Sequence, residues 1–144
     1  MRVRGRASLL LILCVAAALL VVGVLLFSKE GVSTSATRFM SALAQGDVKT
    51  LSDNSFMDGV SKEDLTKRWE KTVKVGEHYM FRWHILSEAQ SDDNNASVRV
   101  AVMRNANSES SYDENFGLAL VKKDGKWLID VKQLSRQMYP GLPR

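Results

Sequence analysis

Residues 79–86, Tyr-Met-Phe-Arg-Trp-His-Ile-Leu, mark the point at which the sequence pattern changes from helix to strand. Aromatic and aliphatic residues occupy every second position, and Arg82 and His84 lie between them. A period of two is typical of a β-strand with one buried face. The segments that precede residue 79 instead repeat their apolar residues every three to four positions, which is typical of helices. The sequence therefore predicts helices before this stretch and a sheet after it.

Three helices are predicted before the strand. The first spans Ser35 to about Gln45, the second Val48 to about Asp53, and the third Ser61 to Gly76. The second helix follows Asp47, which can cap it, and the third begins at Ser61, which can also act as a cap. Gly46 ends the first helix and Gly76 ends the third. Phe39 and Trp69 lie on the apolar faces of the first and third helices, so both faces are expected to be buried.

Three more strands are predicted after residue 86, around residues 98–103, 116–120 and 127–131. A loop at 105–113 separates the first two of these, and Asp124-Gly125 forms a hairpin turn before the last. The sequence thus predicts an α+β fold, in which three helices pack on one face of a curved four-stranded antiparallel sheet.

Residues 7–27 form an apolar run that follows three arginines within residues 1–6. As a helix, these 21 residues would span about 31 Å, close to the roughly 30 Å of a bilayer's hydrocarbon core. We expect a transmembrane helix, a basic cytoplasmic stub at 1–6 and a short linker at 28–34. The positive-inside rule places the N-terminus in the cytoplasm and the C-terminal domain outside it. The bilayer of the cell (inner) membrane is therefore an expected partner, and cleavage of the leader is the alternative.

The overall charge argues against nucleic acid as a partner. The chain has a formal net charge of +4, but the part after the apolar run holds 17 basic and 16 acidic residues. The lone cysteine, Cys14, lies within the apolar run, and the two histidines are not spaced as metal ligands. No metal or cofactor is expected.

Three stretches resemble the nuclear transport factor 2-like superfamily, whose domains have a cone-shaped, cystatin-like α+β fold. They are ATRFMSALAQGDVKTLSD at 36–53, the helix that contains Trp69, and the hairpin LALVKKDGKWLIDVKQL at 118–134. The resemblance covers residues 35–134, and it is closest in plan to small bacterial envelope domains of the superfamily. Residues 135–144 lie beyond it and are predicted to be a loose tail because Pro140 and Pro143 interrupt helices and paired strands.

The resemblance implies three alternative roles, the first of which is non-catalytic. In that role the domain mediates protein–protein interaction or assembly in the cell envelope, with an envelope protein or a second copy as partner. The open face of the sheet would form the contact, through Arg82, Arg99 and Met103.

The second role is an apolar pocket that binds a small molecule or a lipid. Its expected lining is a cluster of aromatic side chains: Phe39, Trp69, Tyr79, Phe81 and Trp83. Aromatic residues also fill the cores of small domains, so a purely structural role is the competing interpretation.

The third role is an enzyme, because the superfamily includes ketosteroid isomerases and dehydratases. Such chemistry needs a carboxylate base and a group that stabilises an oxyanion. The candidates are Tyr79, His84, Tyr112, Glu114 and Asp130, but no spacing links them. No catalytic residue is therefore assigned.

Overall fold

The computed structural model describes residues 14, 15, 17, 18, 30–104 and 112–144. The chain forms two compact units, Met1–Glu30 and Gly31–Arg144. In the first unit the four described residues before Glu30 are helical and exposed. The rest of the predicted stub and transmembrane helix, with residues 28 and 29, lies outside the described residues. Among the helices that are described, none combines the length and the apolar character needed to cross a membrane.

The second unit contains three α-helices among its described residues: α1 Val32–Gln45, α2 Val48–Asp53 and α3 Lys62–Val75. The predicted end signals are confirmed, since Gly46 ends α1 in a left-handed conformation and the Asp47 side chain accepts a hydrogen bond from the Thr50 amide. The predicted start of α1 was three residues too late. Residues 32–34, assigned to the linker from sequence, belong to α1, because Val32 is buried against the core.

The described part of the chain forms five strands: β1 Ser55–Phe56, β2 Phe81–Gln90, β3 Asn95–Arg104, β4 Tyr112–Lys123 and β5 Lys126–Asp130. Their order in the sheet is β1-β5-β4-β3-β2. The predicted antiparallel meander of four strands is confirmed, but the sheet is mixed and five-stranded because β1 pairs with β5 in parallel. Two residues are too few to show a sequence period, so β1 carried no signal.

Two strand boundaries also differ from the prediction. Tyr79 precedes β2, which begins at Phe81, and β4 begins at Tyr112 within the predicted loop. Residues 105–111 of that loop lie outside the described part of the chain. The register of β2 against β3 shifts between Ile85 and Ser87, so Leu86 forms a bulge that interrupts the alternation.

The core lies between the helices and one face of the sheet, which we call the inner face. Val98, Val100 and Val102 alternate on β3 and are fully buried there, and Leu118 and Leu120 continue the same face on β4. The opposite side of the sheet, the outer face, is not covered by any described element. Ser97, Arg99 and Gly117 are exposed there, whereas Ala101 is 3% exposed. All three helices therefore pack on one side, as predicted.

The C-terminal segment, residues 135–144, is packed against the domain, so the prediction of a loose tail was wrong. Met138 and Tyr139 are 1% and 4% exposed. The Thr72 hydroxyl of α3 donates a hydrogen bond to the carbonyl of Gly141, whose positive φ turns the chain back. The prolines do prevent helix and strand, but apolar side chains hold this segment on the end of α3 without regular structure.

Candidate functional site

The five aromatic residues predicted to line one pocket are divided between two places. Phe39 and Trp69 are fully buried, with ring centroids 5.8 Å apart in an edge-to-face arrangement. The Trp69 indole Nε1 donates a hydrogen bond of 3.0 Å to the Ser55 hydroxyl. With its polar atom paired and its ring enclosed, Trp69 belongs to the core, as does Phe39.

Tyr79, Phe81 and Trp83 are half-buried and lie at the other end of the inner face, where β2 forms the edge of the sheet. The structure adds Tyr139 to them. Its ring centroid lies 5.3 Å from that of Tyr79 and 5.9 Å from that of Phe81, and Tyr79 and Phe81 are 5.7 Å apart. Sequence reasoning missed Tyr139 because the C-terminal segment shows no period that would assign it to a face.

An open pocket of about 280 Å³ adjoins three of these rings. Tyr79, Phe81 and Tyr139 line it, whereas Trp83 does not. The other walls are the C-terminal ends of α1 and α3, and Glu77 follows α3 at the rim. The pocket is therefore built where two helix ends meet the beginning of β2 and the C-terminal segment.

A polar cluster lies behind Tyr79, away from the core aromatics. Arg104 pairs with Glu114 at 3.0 Å, and its guanidinium also donates a hydrogen bond to the Gln137 carbonyl. The Tyr79 hydroxyl and Arg104 Nε are buried and have no hydrogen-bond partner among the described residues. Burial raises the pKa of the Tyr79 hydroxyl above its usual range, so it stays protonated at neutral pH.

Sequence reasoning also missed Arg104, although a signal was present. Val98, Val100 and Val102 alternate on β3, and the same period of two places residue 104 on the inner face. An arginine at an inner position needs a partner, and Glu114 on the neighbouring strand supplies one.

The structure does not bring the five enzyme candidates together. Tyr79 and Glu114 converge on Arg104, but His84 is exposed on the outer face and Tyr112 is 50% exposed. The Asp130 carboxylate accepts hydrogen bonds from the Lys132 amide and the Gln133 side chain, and so caps a short 3₁₀ helix. The one inward carboxylate of this set, Glu114, is held by an arginine.

The predicted interaction residues lie together on the outer face. Arg82 on β2 lies beside Met103 on β3, and Met103 lies beside Asp113 on β4. Arg99 lies further along β3, between Ser87 and Gly117. Arg82, Arg99 and Asp113 are exposed, and Met103 is partly buried. The outer face thus carries a row of three side chains, positive, apolar and negative, which we call the Arg82–Met103–Asp113 row.

A third charged cluster lies at the end of α2. Lys62 and Lys49 both pair with the Asp53 carboxylate, the latter at 2.9 Å. Hydrogen bonds from these lysines, first Lys62, lower the pKa of Asp53 to about 2. The cluster has one acidic and two basic side chains, and within the described residues no three His, Cys, Asp or Glu side chains could hold a metal ion.

No protein-family model matches the sequence, and no curated protein matches it significantly. Solved structures do resemble the domain. A protein from Thiobacillus denitrificans that is described as a "putative calcium/calmodulin-dependent protein kinase type II association domain" matches with a TM-score of 0.53 and 5% identity, over 68% of this chain and 88% of the other. A SEC-C motif-containing protein from Rhodopseudomonas palustris matches with a TM-score of 0.51 and 12% identity, over 75% and 84%.

A third structure, an NTF2-like protein of unknown function from Shewanella oneidensis, has a TM-score of 0.49 and 14% identity, over 68% of this chain and 90% of the other. At these identities the likenesses concern the fold. The described part of the chain has an α+β fold, with three helices on a mixed five-stranded sheet, and the first two of these structures resemble it in fold.

Proposed function

We propose that this protein is a non-catalytic assembly domain, held at a membrane by residues 7–27, that acts through the outer face of its sheet. The observation that carries the proposal is the contrast between the two faces. The inner face is buried under three helices, whereas the outer face keeps Arg82, Arg99 and Asp113 exposed on adjacent strands. An uncovered sheet face with both signs of charge is suited to binding another sheet.

The pattern of the outer face favours a second copy of the same chain as the occupant. A two-fold rotation about an axis parallel to β3 places Arg82 opposite Asp113 of the second copy, because the two residues flank Met103 at one level of the sheet. Met103 then faces Met103. The Arg82–Asp113 pair then occurs twice, whereas Arg99, which also lies on β3, faces Arg99 of the second copy.

The small residues of the outer face also favour close approach of two sheets. Gly117 lies beside Arg99, and a side chain added there would meet no atom within 4 Å. Ala119 and Ser97 form the next pair along the same strands. Packed sheets lie about 10 Å apart, a spacing that small side chains allow. The longer side chains of the Arg82–Met103–Asp113 row would interdigitate with those of the second copy.

The membrane position of this domain is part of the proposal. It is supported by the length of the apolar run at 7–27 and by the arginines before it, which orient the N-terminus to the cytoplasm. The folded domain begins at Gly31, so assembly would take place close to the bilayer of the cell envelope. Tethering two copies in one membrane raises their effective concentration and helps a modest interface to form.

A charge swap tests the proposal. Arg82→Asp places like charges opposite each other in the two-fold pair, so the dissociation constant of the dimer should rise about tenfold or more. The double variant Arg82→Asp with Asp113→Arg restores opposite charges and should recover most of the affinity. Sedimentation velocity of the full chain in a maltoside detergent measures both.

The matched control is Lys71→Asp, an equal charge reversal at an exposed position of α3, on the side of the domain away from the outer face. It should leave self-association unchanged. A monomeric wild-type chain at all accessible concentrations contradicts the second copy as occupant. Equal weakening by Lys71→Asp contradicts the outer face as the surface.

A further inference from the structure

We infer that the pocket bounded by Tyr79, Phe81 and Tyr139 binds an organic ammonium group. The pocket has a volume of about 280 Å³ and opens to solvent at the rim. Pockets for drug-sized ligands begin at about 300 Å³, so a headgroup-sized cation suits it better than a larger molecule. The pocket is separate from the outer face on which the proposed assembly depends.

The backbone gives the pocket a negative potential. Helix α1 ends at Gln45 and helix α3 ends at Val75, and the residues that follow each helix line the pocket. The last carbonyl groups of a helix carry the negative end of its dipole. Two such ends converge here, and cations are favoured at each of them.

The charged side chains at the pocket also favour a cation. Glu77 lines the pocket, and no lysine, arginine or histidine is among the described residues that do so. The nearest cation behind Tyr79 is Arg104, whose charge is compensated by Glu114 at 3.0 Å. The Gln45 side chain, also in the lining, offers a neutral acceptor.

The aromatic rings supply the third feature. Tyr79, Phe81 and Tyr139 contact one another at centroid distances of 5.3–5.9 Å, and two of the three pairs are edge-to-face. All three rings line the pocket, and aromatic rings attract cations through their π-faces, as in sites for quaternary ammonium groups. Burial raises the pKa of both tyrosines, so the rings stay neutral phenols near neutral pH.

The C-terminal segment holds the third ring in place. The Tyr139 hydroxyl donates a hydrogen bond to the Gly76 carbonyl at 3.3 Å, and Tyr139 is only 4% exposed. Contacts within the protein therefore hold the aromatic wall in place, which keeps the ordering cost of binding small.

Choline chloride is the probe, titrated into the ¹⁵N-labelled full chain in a maltoside detergent and followed by ¹H–¹⁵N correlation spectra. We expect saturable shifts at the amides of Gly46, Gly76 and Phe81, with a dissociation constant on the order of 1 mM. Sodium chloride at equal ionic strength should not reproduce them. Shifts that are absent, unsaturable or equally produced by sodium overturn the inference.

Two variants separate the contributions. Phe81→Leu removes one ring and should raise the dissociation constant about fivefold, and Glu77→Gln about threefold. Matched controls at exposed positions outside the pocket are Tyr112→Leu and Glu70→Gln, which should bind as the wild type does. If Phe81→Leu fails to fold, Glu77→Gln still tests the site, because unchanged binding of choline by that variant would contradict it.

A second arm identifies the source of the ammonium group. Nanodiscs of phosphatidylethanolamine, which carries a primary ammonium, are compared with nanodiscs of phosphatidylglycerol, which carries none. Pocket shifts specific to phosphatidylethanolamine support a lipid headgroup, and shifts with choline alone support a soluble ammonium compound. Absence of both contradicts the inference. The outer-face variant Arg82→Asp should leave these shifts unchanged, so the test is independent of self-association.

Discussion

Strand β3 shows both faces of the sheet within a few residues. Val98, Val100 and Val102 are fully buried against the helices, whereas Ser97 and Arg99, the neighbours of Val98, are exposed. The inner face is filled by large apolar side chains and paired polar atoms, so substitutions there should change stability. The outer face is small, charged and uncovered, so substitutions there should change association and leave stability almost constant. The difference separates the residues that maintain the fold from those available for binding.

The largest effect is expected at the enclosed end of the inner face. Trp69→Ala removes a fully buried ring and its hydrogen bond to Ser55, and should lower the free energy of unfolding by about 3 to 5 kcal/mol. Trp83→Ala, at a half-buried position, should cost about 1 to 2 kcal/mol. Urea denaturation followed by far-UV circular dichroism measures both. Equal losses would contradict the division of the aromatic residues into core and open end.

The next effect compares two glycines. A Cβ at Gly76 would collide with the Tyr139 side chain, while one at Gly117 on the outer face meets nothing within 4 Å. Gly76→Ala should therefore cost about 1 to 3 kcal/mol and displace the C-terminal segment. Gly117→Ala should leave stability within about 0.5 kcal/mol of the wild type. Thermal denaturation of the two variants side by side tests this, and a neutral Gly76→Ala would show that Tyr139 is not held there.

The Asp53 cluster should give a smaller, pH-dependent effect. Its folded pKa of about 2 lies below the usual value of 3.8 for an aspartate side chain, so ionised Asp53 stabilises the fold above about pH 4 and loses that contribution as the pH falls through about 2. The carboxylate is 28% exposed, so Asp53→Asn should cost only about 1 kcal/mol near neutral pH. Urea denaturation at several pH values should show the difference from the wild type vanish at about pH 2. A difference independent of pH would exclude the charge as its cause.

The smallest effect on stability is expected on the outer face. Arg99→Ala removes an exposed side chain without leaving a cavity, so the free energy of unfolding should stay within about 0.5 kcal/mol of the wild type. Because the proposed axis places Arg99 opposite Arg99 of the second copy, the same variant removes a like-charge contact and should strengthen self-association about threefold. Chemical denaturation and sedimentation velocity on one preparation check the two quantities together. A large loss of stability would mean that Arg99 supports the fold.

The sequence was sufficient where a residue's neighbours in the chain determine its structure. The period of two on β2 to β5, the Asp47 cap and the Gly46 end of α1 are local signals, and each is confirmed. The strand β1 and the packing of Tyr139 depend on partners distant in sequence, β5 and the end of α3. Local periodicity carries no information about such contacts.

The residues of the candidate site could likewise be predicted only where local sequence signals determine their positions. The outer-face positions of Arg82 and Arg99 follow from alternation alone and were predicted. The five aromatic residues were predicted to line one pocket because the sequence does not show which of them the core encloses. Only the tertiary arrangement shows that Trp69 is enclosed by the core whereas Phe81 meets Tyr139 at the pocket.

Crosslinking at the two-fold axis tests the central claim most directly, namely that the outer face assembles two copies of the chain. In a Cys14→Ser background, Met103→Cys places a thiol at the centre of the Arg82–Met103–Asp113 row, and Glu70→Cys places one at an exposed position on α3. With a short bismaleimide on the full chain in membranes, Met103→Cys should give a covalent dimer and Glu70→Cys should not. Crosslinking at Met103→Cys that does not exceed that at Glu70→Cys would contradict the account.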